Sequence, residues 1–159
     1  MTNTLTVLKD RVRKEWLDYN GHMNDAEYVR AFSWAVDGFM DEIGITETFR
    51  SETQYTIFTL ENHVCYLAEM TPDEPLEVTA QIIDWDEKRV HLFFELYGDD
   101  GKRAATSEQM IMGMDQQSGR PAPFPDEIFQ KVDSLAKEHT SLPAPKEVGR
   151  VIGIKKKSK

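Results

Sequence analysis

The sequence predicts an α+β domain in which one long helix lies on an antiparallel sheet. Three observations predict it. An apolar stripe at helical spacing runs through residues 25–43, four strand-like segments follow in succession, and a second amphipathic stretch covers residues 126–139. Strand, helix and then a meander is the order expected of a sheet with a helix packed on one face.

The elements are justified in chain order. Residues 6–17 carry Val7, Leu8, Val12, Trp16 and Leu17 among basic residues, which reads as a strand or extended segment. Asn20-Gly21 is a turn pair. In residues 25–43, Tyr28, Phe32, Ala35, Val36, Phe39, Met40 and Ile43 fall on one helical face. Asn24 suits the N-cap, Glu27 would complete a capping box, and Gly44 suits the C′ position. Trp34 lies off the stripe beside Arg30, Asp37 and Asp41, which suggests a subunit or ligand contact. The predicted strands are 54–68, 76–86, 89–97 and 103–114, with hairpin turns at residues 84–88 and 98–101. Residues 118–125 are rich in Pro and Gly, and Asp126 to His139 then place Ile128, Phe129, Val132, Leu135 and Ala136 on one helical face. One domain is expected over residues 1–154, followed by a frayed basic tail, 155–159.

Composition narrows the function classes. The chain has 159 residues, 40% of them hydrophobic, enough for a real core without disulfides or a structural metal. Its 28 acidic and 19 basic residues give a formal charge of -9, which argues against a general nucleic-acid or anionic-membrane surface. The single cysteine, Cys65, permits no internal disulfide and favours a reducing compartment. It sits in a strand pattern and reads as an inert thiol. No N-terminal leader pattern is present, and no apolar run approaches the ~20 residues of a membrane span. A cytoplasmic protein is the expectation.

Common catalytic motifs are absent. There is no G-x-S-x-G elbow and no glycine-rich phosphate loop. His22, His63, His91 and His139 show no metal-ligand spacing. What remains is the run Asp18-Tyr19-Asn20-Gly21-His22-Met23-Asn24, a carboxylate, an amide and an imidazole in a turn that feeds a helix. A helix start supplies unpaired N–H groups and a positive dipole end. Those groups would stabilise a developing oxyanion while the carboxylate attacks or activates water. A thioester suits such a site, because its carbonyl is activated and its thiolate leaves readily. The same residue types also make an ordinary turn and helix cap, and spacing alone leaves both readings open.

The run Leu17-Asp18-Tyr19-Asn20-Gly21-His22-Met23-Asn24-Asp25-Ala26-Glu27-Tyr28 resembles the signature of hotdog-fold thioesterases of the 4-hydroxybenzoyl-CoA type. The resemblance implies a hotdog fold, a long central helix wrapped by an antiparallel sheet, with the C-terminal helix added. It implies that Asp18 is the nucleophile or general base, that amides near His22 to Asn24 polarise the carbonyl, and that Asn24 caps the helix and orients water or substrate. A narrower likeness, to betainyl-CoA thioesterases of carnitine breakdown, rests on Trp16 to Asn24, Tyr55-Thr56, Thr59 to His63, Ala105 to Met110 and Gly149 to Gly153. Some of those relatives are fused to a carnitine dehydrogenase, which these residues do not include.

The implied substrate contacts are His22, Met23, Tyr28, Tyr55, Thr59, Glu61 and His63. A quaternary ammonium is bound by aromatic faces, so Trp16, Tyr28, Trp34, Tyr55, Tyr66 and Trp85 are candidates for a cage. Glu61 and His63, two residues apart, share a strand face and would meet the site together. Lys88, Arg89, Lys102, Arg103, Arg150 and Lys155 to Lys157 are candidates for the CoA phosphates. The expected partners are an acyl-CoA substrate and a second copy of the chain, in a homodimer or homotetramer with active sites at the subunit boundary. No metal or redox cofactor is expected, CoA being part of the substrate. The alternatives are a thioesterase for another acyl-CoA or acyl-carrier substrate and a non-catalytic acyl-CoA-binding module.

Overall fold

The computed structural model describes residues 3–158. Strand β1 (Leu5–Arg11) leads through a short 3-10 turn (Lys14–Trp16) to helix α1 (Asp25–Ile43). A short helix α2 (Glu47–Thr53) precedes strands β2 (Tyr55–Tyr66), β3 (Pro75–Trp85), β4 (Arg89–Tyr97) and β5 (Arg103–Asp115). A two-residue strand β6 (Arg120–Pro121) and helix α3 (Asp126–His139) follow. The strands form one antiparallel sheet in the order β1-β3-β4-β5-β2, with β6 added to β5. The sheet curls about α1, as the hotdog resemblance implies.

Helix α1 forms where the periodicity predicts. The Asn24 side-chain oxygen accepts from Ala26 N at 2.9 Å, and Gly44 closes the helix at φ 94°, a left-handed conformation that favours glycine. The capping box is not closed by Glu27, whose carboxylate instead accepts from Arg30 Nε at 2.6 Å. All seven predicted stripe residues are buried. Phe32 of α1 meets Phe94 of β4 at 6.3 Å between ring centroids. On β5, Ser107 stands beside Phe94 and Ile111 beside Val90, so this alternating row of β5 also faces α1. Gly38, in mid-helix, lets α1 approach β1: a Cβ there would lie 2.0 Å from the Val7 carbonyl oxygen.

Helix α2 has no counterpart in the sequence reading. It is capped by Thr46, whose hydroxyl accepts from Phe49 N at 3.1 Å, but it buries no residue and so leaves no apolar stripe to read. Past α3, the chain crosses the sheet face turned away from α1. The Gln81 amide donates to the Pro143 carbonyl at 3.3 Å, and Gly149 N donates to Glu108 at 2.8 Å. Gln81 and Glu108 flank Phe93 in the strand register, and Phe93 is buried between them. Arg103 pins the same crossing through two hydrogen bonds to Glu147, 2.7 and 2.8 Å, and also pairs with Glu95. Residues 150–158 have no regular structure and are exposed, and Lys159 of the expected tail lies outside the described residues. None of the described helices is long and apolar enough to cross a membrane.

Candidate active site

Asp18 sits at the closed end of a tight loop. Its N–H donates to the His22 carbonyl at 2.9 Å, and its own carbonyl accepts from Gly21 N at 3.0 Å. Gly21 takes φ 76°, the left-handed turn that closes this loop. A bridge between Leu17 and Met23 fastens the loop ends. One carboxylate oxygen, Oδ1, accepts from Asn20 N at 2.9 Å. The other, Oδ2, has no hydrogen-bond partner among the described residues. The half-buried side chain opens on a cleft of about 480 Å³ shared with His22, Met23, Asp25, Tyr28 and Tyr66.

The helix start offers donors, but only part of the expected set from His22 to Asn24. Met23 N donates to the Met70 carbonyl at 3.0 Å and Asn24 N to the Trp16 carbonyl at 2.8 Å. Both amides are engaged in holding the loop, which corrects the expectation that they polarise a carbonyl. The N–H groups of His22 and Asp25 have no partner among the described residues and remain as the available donors at this helix end. Asn24 is seen as a helix cap and does not line the cleft. His22 Nε2 lies 3.4 Å from a Glu69 carboxylate oxygen, and its Nδ1 is buried with no hydrogen-bond partner among the described residues.

The far wall of the cleft comes from the end of β2 and the loop after it. Tyr66 donates its hydroxyl to the Asp25 carbonyl at 2.9 Å and meets Tyr28 edge to face, with centroids 5.2 Å apart. Burial lifts the Tyr28 hydroxyl to about 12. Leu67 and Ala68 both donate their N–H groups to the Ala104 carbonyl, at 2.9 and 3.1 Å. Glu74 anchors the loop from behind. It accepts from Thr71 N at 3.0 Å, from Asp99 N at 2.8 Å and from Lys102 Nζ at 3.1 Å. Burial opposes its charge, yet these bonds win and depress it to about 2.

Thr59, Glu61 and His63 do not join this cleft within one chain. The β2–β5 register advances two residues on β2, Thr59 to Glu61, against one on β5, Ile111 to Met110. Leu60 is therefore the extra residue of a β-bulge. Ahead of the bulge Thr59 shares the α1-facing row with Ile111. Beyond it Glu61 and His63 share the outer face with Met110 and Glu108. There they line a separate cleft of about 420 Å³ with His91, which pairs with Glu108 at 2.6 Å. The polar residue turned toward α1 is Asn62. Its side-chain oxygen accepts from Ser107 Oγ at 2.6 Å, Ser107 accepts from Gln109 at 2.9 Å, and both partners are buried. The alternation rule, applied without the bulge, could not have found this array.

The aromatic candidates also divide. Tyr55 is buried, donates to the Ala122 carbonyl at 2.9 Å and packs over Gly113, so it is held as a packing residue. Trp34 meets Trp16 at 5.6 Å, and the Arg13 guanidinium lies over both rings at 4.7 and 5.0 Å. This contact is internal to the chain. Trp85 donates to Asp133 at 3.1 Å. Among the basic candidates, Arg89 pairs with Asp86, Lys102 with Glu74, and Arg103 with Glu95 and Glu147, which removes all three as unengaged phosphate ligands. No group of three or more His, Cys, Asp or Glu side chains among the described residues is placed to hold a metal.

Known proteins share this architecture. The thioesterase-like superfamily matches residues 12–132. The betainyl-CoA thioesterase of Pseudomonas aeruginosa is 40% identical over 155 residues, covering 97% of this chain and 98% of that protein. The L-carnitine dehydrogenase/betainyl-CoA thioesterase of Rhizobium meliloti is 33% identical over 153 residues, which cover 96% of this chain and 31% of that longer protein. A Staphylococcus aureus protein solved in complex with CoA superposes with a TM-score of 0.89 at 34% identity, over 98% of this chain and 99% of that one. The chain belongs to the thioesterase-like superfamily and is a thioester hydrolase.

Proposed function

We propose that this protein hydrolyses betainyl-CoA to betaine and CoA with Asp18 as the catalytic carboxylate. The observation that carries the reading is Asp18, whose Oδ2 has no partner among the described residues, lining a cleft beside the open N–H groups of His22 and Asp25 just ahead of and at the start of α1. The thioester carbonyl would lie against the His22 and Asp25 amides, which stabilise the negative charge that develops on its oxygen. Asp18 delivers the attack, either on the carbonyl carbon or by taking a proton from a water that attacks it. The carbon–sulfur bond breaks and the thiolate of CoA takes up a proton; on the direct route a water then hydrolyses the acyl–Asp18 anhydride, and on either route the acyl group leaves as the acid. No metal or redox cofactor enters this scheme.

The acyl specificity is supported by the Pseudomonas aeruginosa relative, similar over nearly its whole length. The CoA part is supported by the Staphylococcus aureus neighbour solved with CoA. Lys88, Arg150 and the lysines after Ile154 are the remaining candidates for its phosphates. A homodimer fits the outer edge of β2, which pairs with no other strand among the described residues and exposes Phe58 and Leu60. A cytoplasmic site of action fits a chain with one unpaired cysteine.

Thiol release from betainyl-CoA, acetyl-CoA and a long-chain acyl-CoA tests the reading. Betainyl-CoA is expected to be turned over best. Asp18→Asn should lower kcat/KM at least about 100-fold, as expected for a group acting directly in acid–base or covalent chemistry. Full activity in that variant would refute the mechanism. Background rates on all three thioesters would refute the substrate assignment.

A further inference from the structure

We propose that the exposed ring of Tyr66 is the seat for a cationic head on the acyl group, with Tyr28 set edge-on against it. The inference rests on the thioesterase reading and adds a residue that sets specificity.

Six aromatic residues were candidates for a cation site, and the structure separates them. Tyr55 is buried against Gly113. Trp16 and Trp34 already carry an internal cation, the Arg13 guanidinium. Trp85 lines a different cleft with Asp84 and Arg89. Only Tyr28 and Tyr66 line the cleft that holds Asp18. Tyr28 is 4% exposed, whereas Tyr66 is 48% exposed and presents the usable face. That face is fixed in advance. The hydroxyl is tied to the Asp25 carbonyl, and the ring stands at 85° to Tyr28. A ring so held loses little freedom when a ligand lands on it.

The charge around the ring has one sign. Asp18, Asp25 and Glu69 line this cleft, and no Lys or Arg among the described residues does. An acyl group carrying a carboxylate would be repelled here, and a quaternary ammonium attracted. A trimethylammonium has no N–H to donate, so an aromatic face with carboxylates nearby suits it better than a hydrogen-bonding pocket. Glu61, the charge partner expected from the sequence, lies on the other side of the sheet.

The test compares betainyl-CoA with 3,3-dimethylbutanoyl-CoA, which has the same shape with carbon in place of the charged nitrogen. Wild type should prefer the cation. Tyr66→Phe keeps the ring and should keep the preference. Tyr66→Leu should lower the betainyl-to-neutral ratio of kcat/KM about tenfold, the size of a partly desolvated cation–π contact. An equal loss on both substrates, or no loss, would overturn the proposal. Calorimetry on the Asp18→Asn protein reads the site without turnover. Adding Tyr66→Leu there should weaken betainyl-CoA relative to the neutral analogue by the same factor, and equal weakening would refute the cation site. Absence of turnover in the wild type, with this binding difference intact, would instead refute the catalytic reading.

Discussion

At the scale of single residues, Glu74 shows how a charge far from the chemistry shapes the site. Its side chain is 6% exposed and ties Thr71, Asp99 and Lys102 to the loop that walls the cleft. Its folded pKa of about 2 lies below the 4.5 of an unperturbed glutamate. The stabilisation is therefore fully present above pH 4.5 and is lost as the pH falls toward 2. A shift of this size corresponds to about 3 kcal/mol. Glu74→Gln should lower the urea midpoint at pH 7 by an equivalent amount and flatten the wild-type loss of stability between about pH 4.5 and 2. A parallel acid limb in the variant would assign that loss to other carboxylates. Residue identity was legible where chemistry is local. The Asp18–Gly21 turn, the Asn24 cap and the Gly44 helix end all form as their residue types predict. It was not legible where partners come from distant segments, as for Glu74 and Lys102, which are 28 residues apart.

At the scale of elements, periodicity served well wherever a face is buried. Helices α1 and α3 begin and end at the residues their apolar stripes indicate, because packing enforces the pattern. Helix α2 escaped because it buries nothing. The outward turn of Glu61 and His63 escaped because it depends on how β2 registers against β5, a long-range fact absent from local spacing. Close approach between elements is a second hidden quantity. Gly38 reads as an ordinary helical interruption, yet it is where α1 meets the β1 backbone. Gly38→Ala improves helix propensity but forces the two elements apart, because the contacted atom is main chain. A net loss of about 1–3 kcal/mol is expected, read as a lower melting temperature. A gain in stability would mean that the contact relaxes freely.

At the scale of the whole molecule, the sheet edge at β2 is long and apolar. Among the described residues the 12-residue strand β2 pairs only with β5, and Phe58, Leu60, Tyr66 and Leu67 stand 44–48% exposed along and just beyond it. A long apolar edge invites pairing with another chain, and a second copy supplies a symmetric occupant. Phe58→Glu is predicted to shift the chain toward monomer, measured by light scattering after gel filtration. Because the edge strand also ends in the cleft wall at Tyr66, activity should fall with it. A monomer of unchanged activity would show that each copy works alone. The edge strand also carries the Leu60 bulge, and that bulge bears on how such chains diverge. Loss of Leu60 would leave Thr59 opposite Ile111 and Glu61 opposite Met110, so Asn62 would still face α1 and Glu61 and His63 would still face outward. Chains that differ by one residue at this point can thus present the same side chains on each face, and a gap there in a comparison of relatives does not by itself signal a changed site.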